Sequence, residues 1–159
     1  MITQRVRARK LFGIHPAIIL GVLDLIGLVI ASYLAVVELS GNVPTCAIIE
    51  GCAEVARSQY NNFAGIPVAL FGVVLSLALL TLALAWWKTD IYSLLLGHYG
   101  LSLVGVMFDG YFLFLQVFVI KAVCIWCLTY ELSLLLRFLI AFVVWYRQPR
   151  PGVNDVDGT

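Results

Sequence analysis

The chain has 159 residues, 62% of them hydrophobic and 12% charged, with a mean hydropathy of +1.01 and a formal net charge of +1. A soluble domain is nearer half apolar and a quarter charged, so an ordinary water-soluble globule is excluded. The chain reads as an integral membrane protein built as one small bundle, with membrane lipid as its surroundings and no nucleic-acid partner expected.

The first apolar stretch covers residues 14–39, after a basic segment holding Arg5, Arg7, Arg9 and Lys10. It is too long, and too poor in a small-residue cleavage pattern, for a signal peptide, and is read as a retained helix. A loop over residues 40–65 follows. Gly41, Asn42 and Pro44 mark a turn there, "AEVARSQY" after Cys52 predicts a short helix, and "NNFAGIP" places Pro67 in the first turn of the next span. The second span, 66–87, ends in Trp86 and Trp87, and "KTD" makes a tight turn. The third, 91–120, exceeds what a crossing needs, which predicts tilt or an interfacial portion. The fourth covers 122–146. Each stretch exceeds the roughly 20 residues that carry a helix across hydrocarbon, and helices are the default because lipid satisfies no backbone groups.

The expected fold is therefore all-α and integral to the membrane: a four-transmembrane-helix bundle with an extracytoplasmic loop containing a short helix. Its parts are a basic N-terminus over 1–13, a catalytic membrane domain over 14–146, and a tail over 147–159 with little to bury and expected to be disordered. The basic N-terminal residues, Lys88, Arg147 and Arg150 fall on one side of such a bundle. The other side has only Arg57 and Lys121, beside Glu38, Glu50 and Glu54. Both termini are expected in the cytoplasm.

That orientation puts Cys46, Cys52, Cys124 and Cys127 on the extracytoplasmic side, where disulfides persist. Four cysteines allow three complete pairings. Cys124 and Cys127, spaced i, i+3, share a helix face, and the first turn of the fourth span is the positive end of a helix dipole, which lowers a thiol pKa and favours exchange. Static structural disulfides, buried free thiols and a four-thiolate zinc site are the competing readings. Repeated oxidation of a dithiol needs an electron acceptor, and quinones dissolve in the adjoining lipid. A pocket between the second, third and fourth spans, lined by Phe71, Phe112, Phe114, Trp126 and Tyr130, would hold an aromatic ring. Most of the aromatic residues, 13% of the chain, are otherwise packing or interfacial belt.

Asp24, Asp109, Glu131 and Arg137 fall inside spans, where charge is costly and turns inward. Glu131, one turn beyond Cys127, suits a proton donor to a quinone; an ion pair or interhelical hydrogen bond, with Arg137 for instance, is the structural alternative. His15 and His98 read as interfacial polar residues rather than haem ligands. Gly72 with Ser76, and Gly97, Gly100, Gly105 and Gly110, predict close helix contacts.

The loop stretch "CAIIEGCAEVARSQYNNFAGIP" and the passage "FLFLQVFVIKAVCIWC" resemble the vitamin K epoxide reductase family: paired cysteines, a serine six residues after the second, Gly-Ile-Pro leading to the second span, then the C-x-x-C. The resemblance covers about residues 25–136. It implies an enzyme, a quinone-dependent thiol–disulfide oxidoreductase carrying electrons from a separate extracytoplasmic thioredoxin-fold protein to a quinone of the menaquinone, ubiquinone or vitamin K type. By position, Cys46 would meet the partner, Cys52 would relay to Cys124, and Cys127 would be the thiolate facing the quinone. Ser58 would offer a hydroxyl near both. Glu131 stands where vertebrate members carry a tyrosine, and Val68 near their second-span asparagine, so the resemblance points to quinone reduction ahead of vitamin K epoxide reduction. The loop spacing is of the bacterial type and implies a prokaryotic plasma membrane. A stapled or metal-binding membrane scaffold is the alternative of another class.

Overall fold

The computed structural model describes residues 15–46, 51–63 and 65–147. The basic N-terminal stretch, the centre of the loop between the first two cysteines, and the tail from residue 148 lie outside the described residues, and the expectations for them with it.

Four long helices follow in chain order: α1 (Pro16–Leu39), α3 (Val68–Thr89), α4 (Tyr92–Phe114, continued by a π-helical stretch, Leu115–Ile120) and α5 (Ile125–Arg147). Short α2 (Cys52–Arg57) lies in the loop after α1. All four long helices are long and apolar enough to span a membrane. The chain is an all-α, multi-pass membrane protein with the expected short loop helix. The helices run up and down, so the end of α1, the start of α3, the end of α4 and the start of α5 meet at one end of the bundle, called here the cysteine end. α1 packs on α3 and α5, and α4 packs on the same two, which closes a ring.

The element ends follow from local chemistry. His15 caps α1, its Nδ1 accepting the Ala17 N–H at 3.3 Å ahead of Pro16, which suits the first helical turn. Pro67 differs from expectation: it is the N-cap of α3, because it pairs across from Asn62 in a two-residue antiparallel hairpin, β1 (Asn62–Phe63) with β2 (Ile66–Pro67). The excess length of the third span is taken up by the π-helical stretch, which ends at Lys121 in a left-handed conformation (φ 58°). The loop helix stops at Arg57, and Gln59–Asn61 forms a 3-10 turn.

Two layers of packing fill the bundle. At the end remote from the cysteines, Leu20, Ala83, Trp86, Leu95 and Ala141 form one apolar cluster; nearer the cysteines, Ala31, Leu34, Leu79 and Leu134 form another. Between them lies a buried polar cluster. Asp24 of α1 accepts from Arg137 of α5 at 3.3 Å and lies 3.1 Å from His98 of α4, and all three are essentially inaccessible. A Cβ at Gly27 would collide with the Arg137 guanidinium, so that glycine opens the space the ion pair fills. The pairing revises two expectations. His98 is a buried partner of an aspartate rather than an interfacial group, and Arg137 is committed to Asp24 and Ser133 rather than to Glu131. Only neighbouring helices supply partners at that depth. His15 is partly exposed and lies 3.2 Å from Asp90. Of the small residues, Gly72 and Gly105 do mark tight contacts, against Ala31 and against Leu75 and Leu134, while Gly100 and Gly110 face open space.

Candidate redox site

The loop is drawn down onto the start of α5 by three contacts. A Cβ at Gly51 would lie 2.5 Å from the Val123 carbonyl oxygen, so only glycine lets the two backbones approach so closely. Trp126 donates its indole N–H to the Thr45 carbonyl at 3.1 Å and packs its ring on Tyr33. Val55 of α2 is buried with Cys52 and Cys124 in one cluster, against which Cys46 and Cys127 pack. All four cysteines thus converge at one end of the bundle. Cys46 and Cys52 are disulfide-bonded, with Cα atoms 6.1 Å apart, and Cys124 and Cys127 are free thiols.

Cys124 is not within the helix but immediately before it. Its carbonyl accepts from Leu128, and its sulfur accepts the Cys127 N–H at 3.5 Å, the place a serine or aspartate side chain takes at an N-cap. The Cys127 thiol, together with the backbone N–H groups of Cys127 and Trp126, pulls the Cys124 thiol down to about 7 from 9.0, against the opposing effect of burial. These contacts favour the thiolate form of Cys124.

Beside Cys127 a cavity of about 570 Å³ opens between α1, α3, α4 and α5. That volume is within the ordinary range for a small-molecule site. Phe71, Phe108 and Phe112 form apolar walls; Val74 and Val104, more than half exposed at 67% and 62%, stand at its side toward the lipid. The polar lining is sparse: Glu38, Asn61, Asp109, Tyr130 and Glu131. Tyr130 donates to the Gly72 carbonyl and accepts from Ser76, which fixes its ring against α3. Gln116, fully buried in the π-helical stretch, spans the thiols and an acid: its Oε1 accepts the Cys124 N–H at 3.1 Å and its Nε2 donates to Glu131 at 2.9 Å. One oxygen each of Glu38, Asp109 and Glu131 is buried without a hydrogen bond.

Of the residues singled out from the sequence, the four cysteines come together, and Phe71, Phe112, Tyr130 and Glu131 line the cavity with Cys127. Three others lie apart from its lining. Phe114 is half exposed and stacks on Phe118; Trp126 tethers the loop; Ser58 ends α2 and donates its hydroxyl to the Val55 carbonyl at 2.8 Å. Sequence reasoning missed Glu38, Asn61 and Gln116, and read Asp109 as structural. The one available signal was a lone glutamine in an otherwise apolar run. Among the described residues no group of metal-ligating side chains is assembled.

A membrane bundle that gathers a disulfide and two free thiols beside an apolar cavity is, as a class, a membrane redox protein. A profile of the vitamin K epoxide reductase family matches residues 18–142, and the chain belongs to that family. Its members act as membrane redox enzymes, and with quinones in general.

Proposed function

We propose that the protein oxidises a separate thioredoxin-fold protein on the extracytoplasmic side and passes the electrons to a membrane quinone, supporting disulfide formation in secreted proteins. Cys46 and Cys52 receive two electrons from the partner's dithiol. Cys52, buried in one cluster with Val55 and Cys124, hands them on by thiol–disulfide exchange. Both termini lie in the cytoplasm of a prokaryotic cell in this reading, in keeping with the distribution of Lys and Arg.

The carrying observation is the position of Cys127, which packs against the cluster holding Cys52 and Cys124 and also lines the cavity. The apolar space lined by Phe71, Phe112 and Tyr130 suits a quinone ring, and the lipid-facing side between α3 and α4 suits a prenyl tail. With Cys127 facing the ring, the Cys124 thiolate bonds to the Cys127 sulfur. Two electrons and the Cys127 proton leave the pair, a second proton enters from the surroundings, and quinone becomes quinol. Glu131, held by Gln116 beside the thiols, is placed to move a proton. Cys127→Ser in purified protein should reduce dithiol-driven quinone reduction to background while Cys46 and Cys52 still exchange with added dithiol. Turnover at the normal rate would refute the assignment.

A further inference from the structure

Quinone reduction needs protons inside an apolar cavity, whereas thiols exchanging in the loop shed theirs at the bundle surface. A second cavity bears on how they return. It is polar, about 390 Å³, and lies at the cysteine end, with exposed Gly41, Asn42 and Arg57 in its walls. Among the described residues, only Glu38 and Asn61 line both this pocket and the apolar cavity. Asn61 is buried and holds Glu38 in place, donating from Nδ2 to Oε1 at 2.9 Å and to the Ala56 carbonyl at 3.2 Å. The other carboxyl oxygen, Oε2, is buried and has no partner.

We propose that Glu38, seated with Asn61 in the partition between the two cavities, is the proton inlet that carries protons from the polar pocket to the quinone cavity. The inference rests on the quinone-reducing reading and deepens it. A carboxyl group anchored through one oxygen and free at the other can turn between two compartments without losing its anchor. Each turnover balances: the Cys124 thiolate and the Cys127 thiol form one disulfide and give up two electrons and one proton, the quinone takes up two electrons and two protons, and the second proton is the one shed when Cys124 ionised. A proton released toward the polar pocket re-enters through Glu38, which ends the cycle in the state in which it began. Among the described residues, the titratable and charged groups around it are Arg57 on the pocket side, Asp109, Cys127, Tyr130 and Glu131 on the cavity side, and Cys124 within electrostatic reach. The α3 wall contributes none to either lining.

The test compares wild-type protein, Glu38→Gln and Glu38→Ala in dithiol-driven reduction of a short-chain quinone. Glu38→Gln keeps the acceptor for Asn61 and loses the proton, so kcat should fall about 10²-fold, the scale of a lost general acid, with KM little changed. Formate or azide should restore much of the rate in Glu38→Ala, which a purely structural role does not allow. Independently of activity, infrared difference spectra of the wild type should show a carboxylic-acid band that follows bulk pH and is missing in Glu38→Gln. Wild-type rates in Glu38→Gln, or a loss that small acids never restore, would overturn the inlet. If Glu38→Gln melts early, Glu38→Asp decides: retained turnover supports the inlet, and a loss equal to that of Gln overturns it. Failure of the wild type to reduce any quinone would instead defeat the parent reading.

Discussion

The two ends of the bundle both bury charge, and they use it differently. In the Asp24–His98–Arg137 cluster both carboxylate oxygens and the guanidinium are engaged, and His98 Nδ1 is the single atom left without a partner. Toward the cysteine end, among the described residues, the carboxyl groups of Glu38, Asp109 and Glu131 each keep one buried oxygen free beside a cavity. Satisfied charge ties helices together; unsatisfied charge costs stability and is kept where protons move. The remote cluster therefore reads as a clamp joining α1, α4 and α5, and the cysteine end as the place of chemistry.

Three substitutions sharpen or break that contrast. The largest effect is expected at the clamp. Asp24→Asn leaves Arg137 as a buried charge without its counter-ion, which costs about 3–5 kcal/mol. Thermal unfolding in detergent should show the loss, while quinone reduction per folded molecule stays near normal. A variant with unchanged stability and no activity would mean that the clamp belongs to the chemistry. Next, Gln116→Leu strips the Cys124 N–H and Glu131 of a shared partner, worth about 1–3 kcal/mol for a buried group left unpaired. Quinone reduction should suffer more than stability, and reduction of the Cys46–Cys52 bond by added dithiol should be unaffected. Equal losses in both half-reactions would make Gln116 a packing residue.

The smallest effect concerns the Cys124 thiol, which titrates at about 7 with hydrogen bonding to Cys127 as the first cause. Because its pKa is lowered on folding, the thiolate and the stability it brings are present at high pH and fade as pH falls through about 7. Cys127→Ala removes the side-chain donor but keeps the backbone N–H. Ultraviolet thiolate absorbance should then titrate at higher pH, toward 9.0. An unmoved curve would show that the helix end alone sets the acidity.

Much of this was legible without coordinates. Four apolar runs longer than a bilayer crossing permit little besides helices, so the spans came within a few residues of those observed, and the i, i+3 spacing alone marked Cys124 and Cys127 as a pair. Positions next to a span end were harder. Pro67 became a cap because the hairpin claimed it, and His98 was drawn inward because Asp24 and Arg137 meet it at the same depth. Phe114 and Trp126 look like pocket aromatics in a linear reading, yet one turns outward and the other holds the loop, since helix rotation is set by neighbours.

By itself the sequence determined the membrane, the number of crossings and the identity of the sulfurs, because hydrophobic length and cysteine spacing act within a single segment. Only the tertiary structure decided which cysteine caps the helix, that Gln116 joins a thiol to an acid, and that Glu38 and Asn61 divide two cavities. Each of those facts depends on groups far apart in the chain meeting at a distance of a hydrogen bond, and no local pattern encodes such a meeting.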